Sequence, residues 1–450
     1  MQSRRSQGHI AARHRCWRRL CASMLTLALA LTACATGADR YTRGHVDAAL
    51  RESAGLSLGP GDTTLPPGLA LDDGVDEREA IALALWHNAA FQEALAELGL
   101  RRADLVIAGE LPNPTFWVLF PIDAKKLEFA LRFPFDFLWT RPGRIAAAKW
   151  DCERLSALLV QGGLDLVCAV RSAFADLRLA RARLDLQRER AAVLAAVAGF
   201  ASARLAAGDA SDAETANARV DALRAAAELA NVERDERIAG ERVRAMLGDG
   251  LPTAVLIDAG VAAPTMSPVD SVESLVATAI ARRPDLRSTR HAIEQAGERA
   301  GLATAELFTL TGIADANNSG RAFEIGPGVE LRIPIFNQNQ GARARAAAEI
   351  EQAVRRHRTV RDRVGLEVRE AHARVTAARR IVASQADMQA LLLGAEQQAA
   401  AAHRAGDQPI LACHLAALQR LDGVQRAAEA SAELQRAEAQ LARSLGGTPP

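Results

Sequence analysis

Residues 322–343 read AFEIGPGVELRIPIFNQNQGAR, and they contain the change of pattern that decides the fold. Over residues 323–333 apolar residues occupy every second position, which is the period of a β-strand with one apolar and one polar face. A short segment rich in Asn and Gln follows, and residues 342–407 then contain no proline. The sequence therefore predicts a strand that leads through a turn into a long helix.

The same unit occurs a second time, about 198 residues earlier, where residues 127–144 read LEFALRFPFDFLWTRPGR. Three further landmarks recur in the same order: residues 77–91 and 273–286, Ala207-Gly208-Asp209 and Ala405-Gly406-Asp407, and Leu247-Gly248 and Leu445-Gly446. A repeat of this length predicts an assembly with internal pseudo-symmetry. We expect a first repeat at 71–248, an irregular connector at 249–270, a second repeat at 271–447 and a short tail at 448–450.

The N-terminal residues 1–33 have the pattern of a bacterial export signal. Six arginines and no acidic residue precede a short apolar stretch at 22–31, which is too short to span a bilayer. The sequence Leu31-Thr32-Ala33-Cys34 resembles a lipobox, which implies cleavage before Cys34 and acylation of that residue, and Ala35 favours transport to the outer membrane. An ordinary cleaved signal with an incidental cysteine is the alternative. Residues 34–70, rich in Gly, Pro, Ser and Thr, are predicted to form a lipid-anchored extended tether.

The composition argues against nucleic-acid binding and favours long packed helices. Without the six arginines of the signal, a chain of formal charge +1 becomes about −5, so no basic patch suggests nucleic acid. Apolar residues reach 49% but aromatic residues only 4%, which favours closely packed long helices over a large globular core. Cys152, Cys168 and Cys413 are too far apart for a disulfide framework and are predicted to be buried small residues.

No catalytic, cofactor or metal site is predicted. The sequence contains no Gly-rich phosphate loop, no nucleophile elbow and no paired carboxylates in a cleft, so an enzyme is not expected. His403 and His414 are close in sequence but lack a carboxylate or thiolate at ligand spacing, and we interpret them as solvated histidines. Beyond the signal no segment reaches 18 apolar residues, which argues against a membrane-spanning helix.

The remaining pattern is helical except around the two strand pairs. A helix over 76–109 is expected to end at the prolines of 111–114, and strands are predicted at 115–122, 127–133, 306–313 and 323–333. A turn at 123–125 and a loop at 317–320 join them in pairs. Each pair leads into a long helix, at 144–206 and 342–407, that turns back at Gly-Asp into a return helix, at 211–247 and 409–445. Gly162-Gly163 weakens the first long helix.

The four strands predict an oligomer. Strands of this length can cross a bilayer when tilted, but four strands cannot close into a barrel. Sheet edges exposed to lipid would leave backbone N–H and C=O groups without partners, so several protomers must combine their strands. The apolar stripe of the second long helix, from Val360 to Val382, likewise requires neighbouring helices.

Over residues 70–447 the chain resembles the TolC family of outer-membrane efflux proteins. The resemblance rests on Ala84-Leu85-Trp86-His87-Asn88, on Leu111-Pro112-Asn113-Pro114, on Arg283-Pro284-Asp285-Leu286, on the stretch from Ile333 to Gly341 and on the terminal Leu-Gly. It implies a mainly α protein with a membrane β-barrel part: a homotrimer whose twelve strands form an outer-membrane barrel and whose twelve long helices form a periplasmic tunnel. It also implies a passive exit duct that works with a periplasmic adaptor and an inner-membrane pump. Residues 136–143 depart from the family spacing by about two residues at that strand-to-helix junction.

Two groups of residues are candidates for function. Glu128, Arg132, Glu330 and Arg332 lie on the polar side of the predicted strands and would face a water-filled barrel lumen, or else the solvated face of a soluble sheet. The helical-hairpin tips contain Gly208, Asp209, Arg404, Gly406 and Asp407, where the family resemblance implies adaptor docking and control of the periplasmic aperture. Helix capping alone would also explain the Gly-Asp pairs.

Two rival interpretations remain from the sequence. A lipid-anchored periplasmic coiled-coil adaptor that never spans the membrane should lack the four amphipathic strands. Within the channel class, the cargo is either metal cations or organic compounds such as drugs, and the energy source of the partner pump is open.

Overall fold

The computed structural model describes residues 37–59, 66, 74–120, 127–248, 271–318 and 323–447. The predicted signal peptide, Cys34, the connector at 249–270, the tail at 448–450 and the turn at 123–125 lie outside the described residues.

The two repeats contain the same elements in the same order: two short helices, two β-strands, a long helix and a return helix. In the first repeat these are α2 (Glu77–His87), α3 (Ala89–Gly109), β1 (Thr115–Leu119), β2 (Glu128–Pro134), α4 (Phe137–Ala206) and α5 (Asp212–Leu247). In the second they are α6 (Val272–Arg282), α7 (Pro284–Ala305), β3 (Leu310–Asn318), β4 (Phe323–Leu331), α8 (Gln340–Ala405) and α9 (Ile410–Ser444). The predicted duplication of strand pairs and helical hairpins is confirmed.

The predicted extended tether is wrong for part of its length, because residues Arg43–Ala54 form a helix, α1. Val46 and Leu50, four residues apart on one helix face, are fully buried. Gly55 ends the helix with φ 67°, a left-handed conformation that glycine adopts without a steric penalty. The overall Gly, Pro, Ser and Thr content of 34–70 concealed this short amphipathic segment.

The single helix predicted over 76–109 is two helices separated at Asn88. Asp76 caps α2 in a capping box with Glu79. The Asn88 side chain accepts a hydrogen bond from Phe91 N at 3.0 Å at the start of α3, and donates one to Met246 O at 3.0 Å. A side chain that satisfies a new helix start and a distant carbonyl together stabilises the break.

The strands differ from the predicted ones in their limits. β1 has 5 residues where 8 were predicted, β2 has the predicted 7 but lies one position later, β3 has 9 where 8 were predicted, and β4 has 9 where 11 were predicted. β3 begins at Leu310 rather than at residue 306, because the end of α7 continues as a turn in which Glu306 N bonds to Leu302 O and Leu307 N to Thr304 O. The long helices begin earlier than predicted: α4 starts at Phe137 and contains Pro142 in its second turn.

The chain divides into two compact units. The first, which includes Leu100–Cys152 and Gly297–Ala346, contains one antiparallel sheet in the order β1-β2-β3-β4. Representative pairs are Phe116 with Leu131, Arg132 with Ile313 and Thr311 with Glu330. The strands therefore follow one another as neighbours, and β1 and β4 are the two edges.

The second unit, which includes Glu153–Ala296 and Ala347–Pro450, contains the helical hairpins. Side chains of α4 bond to the return helix α9 of the other repeat, through Arg443 to Asp165 at 2.6 Å, Arg183 to Glu429 at 2.7 Å and Arg190 to Asp422 at 2.8 Å. Arg420 and Arg436 of α9 contact Glu189 and Asp176 of α4. The two repeats are thus joined along α4 and α9 by polar pairs.

In the second repeat the hairpin helices pack on apolar and small residues. The predicted stripe of α8 is confirmed, because Val364 and Val368 are buried with Leu275, Ala279 and Leu445, and Val375 and Ala378 are buried with Leu434 and Ala437. In α4, Gly162 and Gly163 do not interrupt the helix. A Cβ at Gly163 would lie 3.2 Å from Leu50 Cδ1 and 3.5 Å from Phe91, so these glycines leave room for α1 and α3.

The sequence argument against a spanning helix needs one correction. α4 contains an 18-residue window that is apolar enough to cross a membrane by length and composition. Within the chain itself 61% of that window is buried, as in a core helix.

The terminal Leu-Gly of each repeat packs against the break between its two short helices. A Cβ on Gly248 would lie 2.3 Å from His87 O, and a Cβ on Gly446 would lie 3.1 Å from Arg283 Cα. Both glycines have φ 84°. The recurrence of Leu-Gly in the sequence therefore has a structural cause, since each pair fastens the end of a return helix to the start of its own repeat.

Candidate functional site

The sheet has one polar and one apolar face, because side chains alternate along each strand and paired residues share a face. The polar face contains Glu128, Arg132, Thr311, Asp315, Glu324 and Glu330. The apolar face contains Phe116, Val118, Phe129, Leu131, Phe133, Ile325, Val329 and Leu331.

Three of the four predicted lumen residues lie together on the polar face. Arg132 Nη1 of β2 is 3.8 Å from Glu330 Oε2 of β4, reaching across β3. Arg332 lies one residue beyond β4, where its backbone N–H bonds to Thr309 O at 3.2 Å. Asp315 of β3 was missed because that strand was placed too early in the sequence. Its carboxylate lies over Gly326, where a Cβ would be 2.8 Å from Oδ1.

The apolar face is exposed within the chain. Ile325 is 71% exposed and Val329 is 74% exposed, and Phe116 is stacked on Phe129 with ring centroids 6.0 Å apart. Where the strands meet the long helices, further exposed aromatic residues follow: Phe133, Phe135, Trp139, Phe308 and Phe336. An apolar surface of this extent requires a partner or lipid. A soluble sheet with a packed apolar face, the alternative from the sequence, does not fit this surface.

The two hairpin tips have similar backbone geometry. Gly208 and Gly406 are left-handed with φ 82° and 84°. The next residues close the helix ends, since Asp209 N bonds to Arg204 O at 2.8 Å and Asp407 N bonds to Ala402 O at 2.9 Å. The glycines are therefore accounted for by helix termination.

The tip carboxylates are not accounted for by capping. Ser211 caps α5 by accepting Glu214 N, and Pro409 precedes α9 without a side-chain cap. In the described part of the chain Asp209 and Asp407 are exposed, and their carboxylates accept no hydrogen bond. Both acidic groups are thus available to a partner.

The arginine side chains at the tips form hydrogen bonds within their own hairpins. Arg404 Nε donates to Ala400 O at 3.2 Å within α8. Arg204, which the sequence did not single out, donates to Glu214 Oε1 at 2.8 Å and to Asp209 O at 2.6 Å, and lies 6.0 Å from the Phe200 ring centroid. Its i to i+10 spacing across a turn gives no sequence signal.

The titratable side chains outside the sheet and the tips include four histidines whose surroundings the structure describes: His291, His357, His403 and His87. His403 Nδ1 is 2.9 Å from Gln408 O, and the described residues contain no group of three or more His, Cys, Asp or Glu able to hold a metal ion. Burial lowers the pKa of His291 and of His357, whose Nδ1 is 2.7 Å from Thr289 Oγ1. A folded-state pKa below the unfolded value means that both histidines favour the folded state when neutral, a contribution lost as pH falls below about 6.5.

Comparison with known proteins agrees with this architecture. Residues 80–249 match the family described as outer membrane efflux protein. The cobalt-zinc-cadmium resistance protein CzcC of Cupriavidus metallidurans is 24% identical over 269 residues, which cover 58% of this chain and 63% of that protein. The match thus spans less than two thirds of the relative.

Solved channel structures have the same fold. CusC superposes with a TM-score of 0.68 at 19% identity, covering 86% of this chain and 97% of CusC. The Campylobacter jejuni CmeC outer membrane channel gives 0.70 at 14% identity, with 86% and 90% covered. The Neisseria gonorrhoeae MtrE outer membrane channel gives 0.68 at 16%, with 86% and 94% covered.

The family and the fold are those of channels rather than enzymes. The duplicated strand pairs and helical hairpins, the two-faced sheet and the efflux-protein match lead to the same assignment. Over residues 80–249 the chain thus matches the outer membrane efflux protein family, and over most of its length it has the fold of solved outer-membrane channels.

Proposed function

We propose that this protein is the outer-membrane exit duct of a tripartite efflux system, and that it conducts substrates passively from a pump and adaptor out of the cell. The observation that carries the proposal is the four-stranded sheet with an exposed apolar face, a polar face with charged residues, and two open edges. An apolar outer band and a polar lumen are the two faces of a transmembrane β-barrel. Cys34, outside the described residues, would hold the lipid anchor.

A homotrimer supplies the missing strands. The edges β1 and β4 would meet lipid with unsatisfied backbone groups unless other protomers pair with them. Three copies would give twelve strands and twelve long helices. Negative-stain imaging of protein extracted from outer membranes in mild detergent should show three-fold symmetric particles. Single rods in a fraction that washes off without detergent would contradict both the trimer and the channel.

The non-spanning coiled-coil adaptor is not supported. A protein that never enters the membrane should not expose the apolar face of a sheet to water. The solved structures that share the fold include outer membrane channels. The extraction experiment distinguishes the two functions directly, because a peripheral protein would be released by salt or high pH.

For the cargo we propose divalent metal cations. CzcC is named for resistance to cobalt, zinc and cadmium, and acidic residues outnumber basic ones on the polar face of the sheet described here. A negatively charged lumen raises the local concentration of cations. Deletion of the gene should sensitise cells to these metal salts and leave their sensitivity to organic drugs unchanged. The reverse pattern of sensitivity would assign an organic cargo to the same duct.

The exposed tip carboxylates are proposed to contact the periplasmic adaptor. We expect the double variant Asp209→Asn/Asp407→Asn to weaken adaptor association by roughly tenfold at low salt, because exposed charges at an interface mainly steer association. Asp387→Asn, an exposed carboxylate elsewhere on α8, is the matched control and should have no effect.

The test combines adaptor binding with single-channel conductance. Altered binding with unchanged conductance indicates docking, and altered conductance indicates a role in the aperture. Unchanged binding, conductance and efflux in the double variant would show that the tip carboxylates have neither role.

A further inference from the structure

We propose that the first turns of α4 and α8 form a binding surface for the phosphate groups of anionic phospholipids in the periplasmic leaflet of the outer membrane. We call this the phosphate collar and define it by Arg141, Arg144, Lys149, Arg343 and Arg345. The proposal rests on the proposed function, because it requires the sheet to span the membrane.

The collar lies next to the end of the apolar face of the sheet. The Phe135 ring covers Gly312 of β3, where a Cβ would lie 2.5 Å from Phe135 Cε2. Trp139 and Phe308 are exposed, and Phe336 is 94% exposed. Exposed aromatic residues at the end of a membrane strand mark the level of the lipid headgroups.

Both strand-to-helix junctions are attached to the end of one helix, α7. Trp139 Nε1, in the first turn of α4, donates to Ala305 O at 3.1 Å. Asn339 Nδ2, immediately before α8, donates to Ala303 O at 2.7 Å. These bonds bring the starts of the two long helices to the same place, although 203 positions separate Phe137 from Gln340 in the sequence.

The sequence near the starts of α4 and α8 carries mainly positive charge. Residues 137–150 contain three basic residues and no acidic residue, and residues 340–348 contain two and none. Asp136 and Asp151 flank the first of these stretches, and Glu330 and Glu349 are the nearest acidic residues in sequence to the start of α8. Further along, both helices carry acidic and basic residues mixed together. The positive ends of two long helix dipoles add to the positive field at this level.

At least two of these arginines have guanidinium nitrogens without a hydrogen-bond partner among the described residues. Arg144 Nε is buried and makes no hydrogen bond to the described residues. Arg343 is exposed and makes no side-chain bond within that part of the chain. Arg141, in contrast, already donates Nε to Gly109 O at 2.7 Å. Phosphate oxygens bind the accessible nitrogens of guanidinium groups with short, charge-assisted hydrogen bonds.

Position and charge together define the ligand. Basic residues beside an aromatic belt bind the headgroups of acidic lipids by electrostatic attraction. At this end of the strands the ligand would be a phospholipid of the periplasmic leaflet, such as phosphatidylglycerol.

The experiment measures lipid preference with the intact protein reconstituted in bilayers. Brominated phosphatidylglycerol and brominated phosphatidylcholine are compared for their quenching of tryptophan fluorescence, because Trp139 lies beside the collar. For the wild-type protein we expect phosphatidylglycerol to bind several-fold more strongly. In Arg144→Gln/Arg343→Gln that several-fold ratio should fall and approach one.

Two further variants and one independent measurement make the test decisive. Arg144→Lys/Arg343→Lys should retain most of the preference, and Arg358→Gln, an exposed arginine 15 positions beyond Arg343 on α8, should leave it unchanged. Equal binding of the two lipids by the wild-type protein would overturn the proposal. So would a loss of lipid preference in Arg358→Gln as large as that in Arg144→Gln/Arg343→Gln. Conductance of the same samples separates the two hypotheses: a conducting channel without lipid preference contradicts only the collar. Protein that neither inserts nor conducts contradicts the channel function itself.

Discussion

Gly248→Ala is expected to lower the free energy of unfolding by about 3 kcal/mol or more, the largest effect we predict for a single methyl group in this chain. Gly248 has φ 84° and ψ 173°, a region of backbone conformation that is essentially restricted to glycine. The added Cβ would lie 2.3 Å from His87 O and 2.8 Å from His87 C, both backbone atoms that cannot move without displacing the end of α2. Strain and overlap therefore act together.

Gly240→Ala is the matched control, because it lies two turns earlier in the same helix. Nothing lies within 4 Å of a Cβ at that position, and the residue is in the helix interior. Alanine should therefore stabilise the protein there by up to about 1 kcal/mol. Gly446→Ala should fall between the two, since its Cβ would be 3.1 Å from Arg283 Cα at φ 84°. Thermal unfolding of the purified protein in detergent orders the three variants.

A contradictory result would be equally informative. If Gly248→Ala and Gly240→Ala unfold at the same temperature, the end of α5 is not fastened to α2 in the native protein. The recurrence of Leu-Gly in both repeats would then need an explanation other than packing.

Local patterns predicted the elements that depend on local physics. The strand of 323–333, the proline-free helices and the Gly-Asp turns each follow from residues within a few positions of one another. The family resemblance, carried by short motifs in a fixed order, led to the correct fold. The polar face of the sheet followed from alternation, and Asp315 was missed because one strand start was misplaced.

Contacts between distant residues could not be predicted in the same way. Residues 43–54 form a packed helix because Leu50 fits against Gly163, which lies more than a hundred positions later and leaves room for the leucine side chain. Asn88 divides a helix because its amide reaches Met246 O. Likewise, the arginine pairs between α4 and α9 depend on how two repeats pack. Nothing near these residues in the sequence carries that information.

Arg283→Ala is expected to lower the free energy of unfolding by about 3 kcal/mol, the second large effect. The Arg283 side chain is 2% exposed and bonds to Asp285 Oδ2 at 2.6 Å and to Glu367 Oε2 at 2.5 Å, which ties the start of α7 to α8. Burial alone lowers the pKa of Arg283, but the hydrogen bonds and charges of Asp285 and Glu367 raise it on balance. The group therefore stays charged in the folded protein, and its removal leaves two carboxylates in a confined place without their principal partner.

Arg282→Ala is the control for this change, because the neighbouring arginine is exposed and its loss should cost less than about 0.5 kcal/mol. Arg283→Met/Asp285→Leu should be less destabilised than the sum of its single variants, since removing both members of a buried pair leaves fewer unpaired charges. Unfolding of the wild type, Arg283→Met, Asp285→Leu and their double variant at neutral pH measures the coupling. Equal stability of Arg283→Ala and Arg282→Ala would mean that water or Arg363, whose Nη2 is 3.5 Å from Asp285 Oδ2, compensates the lost charge. In that case the arginine of Arg283-Pro284-Asp285-Leu286 would not be what holds α7 against α8.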